Sequence, residues 1–171
     1  LSPRAVARIQ GNSPACYYLD LKAALKNGAR GQTPFTPAVG ILIQINARLN
    51  QIKERGLAAE RSRIRDRAAA FRQRIAAYPF RIVSESLSNA VTPLSPTNPE
   101  VSAYRLFEIL KDEYGIIVCP NGGAMADTVF RVGHIGDQSE ADYAALFRAL
   151  DYLMDRGVLR GPDSREIGGA E

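Results

Sequence analysis

Thr128–Ile135, TVFRVGHI, sets one arginine, Arg131, inside an apolar run of strand type. A guanidinium keeps its charge and is costly to bury alone, so Arg131 needs an anionic partner or a route to solvent. Alternation supplies the simpler answer. Val129, Arg131 and Gly133 fall on one side of a strand, and Phe130, Val132 and His134 on the other, so Arg131 stands on the wet face of a half-buried strand.

Outward from this strand, the pattern upstream alternates short strands with a helix. Phe80–Ser84 and Ala90–Leu94 read as strands, and Asn98-Pro99 is expected to start a helix over Glu100–Glu113 that Gly115 ends. Gly115–Cys119 reads as the next strand, and Asn121-Gly122-Gly123 as a tight turn whose glycines supply positive φ. Downstream, Ser139 and Asp142 form a capping box for a helix that runs to Arg156 and closes at Gly157.

The first half of the chain is helical. Ser2 caps a short helix with Pro3 at its first position, Leu19–Lys26 is a second helix, and Pro37–Arg55 a long third, capped through Thr36 and closed by Gly56. Ala38–Ile45 is apolar on nearly every side, which implies a helix covered all round. Leu57–Ala77 is a helix ended by Tyr78-Pro79. Two strands, a helix, two strands and a helix after two long helices predict an α+β fold, a four-stranded sheet covered by helices on one face.

Composition fits a globular domain: 171 residues, 46% hydrophobic and 23% charged, suffice for one sizeable core. Cys16 and Cys119 are too few and too far apart for a zinc site and read as small buried hydrophobes, in a reducing compartment. No metal site is expected. The sequence shows neither a leader nor an apolar run of membrane length, so the expectation is a cytoplasmic protein without a membrane partner. The net charge of +4 is concentrated between Arg48 and Arg81, where ten basic residues face three acidic ones. These arginines scatter around the helix with few aromatic neighbours, which favours a solvated face and no nucleic-acid partner.

In order along the chain stand YYLDL from Tyr17, GQTPFTPAV from Gly31, IIVCPNGG from Ile116 and FRVGHIGD from Phe130. This order resembles the C-terminal portion of the class V aminotransferase family, the pyridoxal-phosphate enzymes of the alanine–glyoxylate and serine–pyruvate type. The resemblance implies the small C-terminal domain of a fold-type I pyridoxal-phosphate-dependent transferase. It implies a parent that moves an amino group between a small amino acid, such as alanine or serine, and a 2-oxo acid, pyruvate or glyoxylate, as a homodimer.

Roles follow from the resemblance one residue at a time. Arg131 matches the arginine that pairs with the substrate carboxylate. Thr33, with Gln32 beside it, matches the threonine that donates to the cofactor phosphate of the neighbouring subunit. Asn121, Gly122 and Gly123 match a loop that closes near the substrate. His134 stands where the family has a small or apolar residue, and reads as a packing or hydrogen-bonding histidine.

The family holds pyridoxal 5'-phosphate on a lysine in a Ser/Gly-rich turn. Only Lys22, Lys26, Lys53 and Lys111 occur here, none in such a turn. The expectation is a catalytically inactive piece that binds no cofactor by itself. Its segments would be a connecting segment over 1–36, the small domain over 37–160 and a disordered tail over 161–171. The alternative is a stand-alone, non-catalytic α+β binding module that recognises a carboxylate through Arg131 or an acidic partner through the basic helix.

Overall fold

The computed structural model describes residues 1–161, in two compact units, 1–54 and 55 onward. The expected tail falls almost wholly outside the described residues.

The first unit holds three helices. Helix α1, Pro3–Gly11, has Pro3 at its start and Ser2 as cap, the Ser2 Oγ accepting from the Ala5 N–H at 3.3 Å. Helix α2, Leu21–Gly28, begins two residues later than expected because Asp20 caps it, accepting from the Lys22 N–H at 2.8 Å. Helix α3, Val39–Arg55, starts three residues after Thr36, so Thr36 is not its cap. The Pro37 carbonyl takes the first helical N–H, that of Val39, at 2.8 Å. None of the three helices has a buried residue, and Ile41, Leu42, Ile43 and Ile45 all stand exposed on α3.

The second unit is built around helix α4, Leu57–Ile75, and a sheet of strands β1 (Phe80–Ile82), β2 (Val91–Pro96), β3 (Cys119–Pro120) and β4 (Phe130–Gly133). Strand order is β1-β2-β4-β3 and every pairing is antiparallel. Helix α5, Ala103–Tyr114, connects β2 to β3, and helix α6, Glu140–Asp155, follows β4. One sheet face carries Leu94, Phe130 and Val132 into a core with Phe71 and Ile75 of α4, Leu106 and Leu110 of α5, and Phe147 and Leu150 of α6. Each such side chain contributes roughly 1.5–3 kcal/mol when fully buried. The sheet is therefore covered on one face, and Arg131, with its cross-strand neighbours Pro93 and Cys119, lies on the other.

Helix α5 starts at Ala103, not Glu100. The Asn98 side chain accepts from the Glu100 N–H at 2.9 Å and forms a local turn, and Ser102 is the true cap, accepting from the Arg105 N–H at 3.1 Å. The expected stop is present: Gly115 ends α5 in the left-handed region at φ 66°, ψ 21°. Gly115→Ala would place a β-carbon in that conformation and is expected to cost about 1–2 kcal/mol, read as a shift in the urea midpoint with an unchanged slope. The capping box of α6 is also present, with Gly157 beyond the helix at φ 69°.

Candidate functional site

Arg131 is half-buried on the uncovered sheet face. Its Nη2 donates to the Pro120 carbonyl at 3.0 Å, which ties the guanidinium to the strand opposite and to the loop that follows it. Its Nε–H is shielded from solvent and has no hydrogen-bond partner in the protein. A buried donor left unmade costs free energy, and at Nε that cost is relieved only when the side chain shifts to bring its N–H to an acceptor. The fork geometry suits a carboxylate, which accepts two parallel N–H bonds.

The loop 121–123 lies next to that anchor. Only Gly123, at φ 60°, takes a positive φ; Gly122 is extended at φ −115°, ψ 176°. The expected strand-to-strand turn is in fact a single turn of 3-10 helix, Gly123–Met125. The strand before it is also shorter than expected. Residues 116–118 do not pair with β4, because the Ile116 N–H is drawn back to the Leu110 carbonyl at 2.9 Å at the end of α5.

Thr33 and Gln32 lie in the first unit, both exposed. The Thr33 hydroxyl donates to the Phe35 carbonyl at 2.6 Å, so it must turn away from that bond to donate to a phosphate. Tyr17 meets Phe35 edge-on and Tyr18 meets it tilted, at 5.4 and 4.9 Å between ring centroids.

His134 is the packing and hydrogen-bonding histidine expected from the sequence, and it holds β4 in place through partners that the sequence did not announce. His134, fully buried, has its Nε2 2.8 Å from the Thr92 hydroxyl and its Nδ1 3.0 Å from the Tyr143 hydroxyl. Tyr143 in turn donates to the Gly133 carbonyl at 2.9 Å or to Gln138 Oε1 at 3.0 Å. The pattern is complete with a neutral ring: Thr92 O–H donates to Nε2, and Nδ1–H donates to Tyr143. Burial, then the charges of Arg72 and Arg67, lower the His134 pKa from 6.5 to about 4. Burial likewise raises that of Tyr143.

Two arginines of α4 are not the solvated face expected of them. Arg67 donates to the carbonyls of His134 at 3.0 Å, Gly136 at 3.3 Å and Gln138. Arg63 donates to the Gly136 carbonyl at 3.2 Å and pairs with the buried Glu60, which also binds Arg55 at 2.6 Å. Together they clamp loop 134–138, which joins β4 to α6.

Both cysteines are exposed, not buried: Cys16 lies in a loop and Cys119 opposite Arg131 in the sheet. No group of three or more His, Cys, Asp or Glu side chains among the described residues is placed to hold a metal ion. No helix among them is long and apolar enough to cross a membrane.

A lysine able to hold pyridoxal phosphate is also missing from any suitable place. Lys26, Lys53 and Lys111 are exposed, and Lys111 pairs with Asp112. Lys22 lines a cavity of about 70 Å3, too small for a substituted pyridine ring. The residues present do not fit the cofactor as something this chain holds alone.

No protein-family model matches the chain. A soluble hydrogenase 42 kDa subunit of Anabaena cylindrica is 27% identical over 156 residues, covering 90% of this chain and 40% of its own length. A serine–glyoxylate aminotransferase of Methylorubrum extorquens is 28% identical over 172 residues, covering 96% of this chain and 43% of its own. Among solved structures, an alanine–glyoxylate aminotransferase of Nostoc sp. superposes with a TM-score of 0.78 at 22% identity, over 90% of this chain and 42% of that one, which shows the fold. The chain thus spans about 40% of the length of the relatives it matches. In sequence and in fold it is similar to the class V aminotransferases, as the C-terminal portion of such an enzyme is.

Proposed function

We propose that this chain is the C-terminal portion of a pyridoxal-phosphate-dependent aminotransferase, and that Arg131 is the anchor for the carboxylate of its amino-acid and 2-oxo-acid substrates. The observation that carries this reading is the shielded, unpartnered Nε–H of Arg131 on the uncovered face of the sheet. The Pro120 carbonyl holds Nη2 and so sets the plane of the fork before a ligand arrives, which lowers the ordering cost of binding. The clamp of Arg67 and Arg63 and the His134 pairings hold the far end of β4, so the anchor stands on a fixed strand.

The resemblance adds the finer statement. The parent would move an amino group between a small amino acid, such as alanine or serine, and pyruvate or glyoxylate, in a homodimer in which Thr33 and Gln32 meet the cofactor phosphate of the partner subunit. In that enzyme the lysine and the remaining cofactor contacts come from outside these residues. The exposed apolar side chains of α3 suit a helix that another part of the assembly covers.

The chain alone is then expected to be inactive. Mixed with pyridoxal phosphate and passed through gel filtration, it should keep no absorbance at roughly 400–430 nm. A retained band that disappears on substitution of one of the four lysines would sink this reading.

A further inference from the structure

The end of α5 and strand β4 leave open a space that the strand pattern of the sequence would have closed. Pairing runs only over Cys119 opposite Arg131 and Pro120 opposite Phe130. Continued in the same register, Val118 would face Val132 and Ile117 would face Gly133. Instead the two segments part around a cavity of about 420 Å3, a volume usual for a small-molecule site.

Its walls are aliphatic and aromatic, with Phe107, Ile116, Ile117, Val118, Val132 and Leu146. Arg131 lines the same cavity, and its Nε–H is the unpartnered donor described above. The other polar side chains there are already engaged: Asp142 with Ser139, and Gln138 with Tyr143. A guanidinium beside an apolar slot selects a carboxylate that carries a bulky apolar side chain. A small polar acid leaves the walls wet and gains nothing from them.

We propose that this slot receives the side chain of a leucine-sized aliphatic amino acid or its 2-oxo acid, in place of the alanine-sized acids implied by the resemblance. The inference rests on the reading of Arg131 as carboxylate anchor. The slot then sets the substrate class and Arg131 sets the orientation.

The test titrates the chain, labelled at isoleucine methyl groups, with pyruvate and with 4-methyl-2-oxopentanoate. The larger acid should bind roughly ten-fold tighter or better, as its three additional carbons leave water, and should shift the methyl signals of Ile116 and Ile117. Ile117 is 79% exposed, so Ile117→Ser leaves the fold intact. It should reduce that preference, and Arg131→Ala should weaken both acids together. Equal affinity for the two acids, or an undiminished preference in Ile117→Ser, overturns the slot while leaving the anchor. Undiminished binding of both acids to Arg131→Ala, or no binding of either acid to the unaltered chain, overturns the anchor and the slot with it.

Discussion

Arg131→Ala in the proposed longer aminotransferase should lower kcat/KM for its amino donor by at least about ten-fold and leave the bound cofactor in place. A hydrogen bond to a charged group contributes roughly 1.5–3 kcal/mol, and the alanine variant loses the fork entirely. On the proposed reading the carboxylate contact also fixes the direction of the reacting Cα–H, so kcat should fall along with substrate affinity. Arg131→Lys keeps the charge but replaces a planar fork by a point donor, and should recover only part of the loss. The lysine variant would also leave the Pro120 carbonyl without its present partner, which loosens the loop at 121–123. Steady-state kinetics of the two variants check this. Wild-type efficiency in Arg131→Ala would mean that the side chain is an ordinary solvated strand residue, whose removal costs within about 0.5 kcal/mol.

The strand that carries Arg131 was legible because a two-residue period does not depend on partners. Phe130 and Val132 are buried, while Arg131 is half-buried and Gly133 exposed; Val129, expected on the wet side, is buried and lies just before the strand begins. The caps at Ser2 and Ser139 and the stop at Gly115 were legible for a similar reason, since a cap is decided within one turn of chain. What failed was decided at longer range or by competing local bonds. Asn98 looked like a helix start beside Pro99, yet its side chain closes a turn on Glu100 and the cap passes to Ser102. Residues 116–118 are apolar enough for a strand, but the hydrogen bond to the end of α5 takes the Ile116 N–H before it can pair.

The site shows the same division. A fork-shaped cation in an apolar run could be singled out from the sequence. That its Nη2 is held by Pro120, eleven residues away, could not. Nor could the clamp of Arg67 on His134, which spans 67 positions. Both bonds go to backbone carbonyls, which every residue carries, so no side-chain type at 120 or 134 announces them. Cys119 was misjudged because small apolar residues are usually buried, whereas an uncovered sheet face leaves every second position open.

His134 gives the second large expected effect. Its pKa in the folded chain is about 4, against 6.5 for the free side chain, so the unfolded chain takes up a proton that the fold resists. The stabilisation that this difference represents is present in full above pH 6.5 and declines as pH falls toward 4, where the folded histidine also protonates. One pKa unit corresponds to about 1.4 kcal/mol, so roughly 3 kcal/mol should be lost across that window. A second proton on the ring would need an acceptor at Nε2, where the Thr92 hydroxyl now donates, while Arg67 and Arg72 oppose the charge. His134→Gln can keep one pairing at each end of the side chain but has no proton to gain. It is therefore expected to be less stable than the parent chain at pH 7 and to show a flatter decline between pH 6.5 and 4. Urea denaturation of both proteins at several pH values in this window measures the two slopes. Carboxylates common to both cancel in the difference, and equal slopes would mean that the ring is protonated or rehydrated in the fold at little cost.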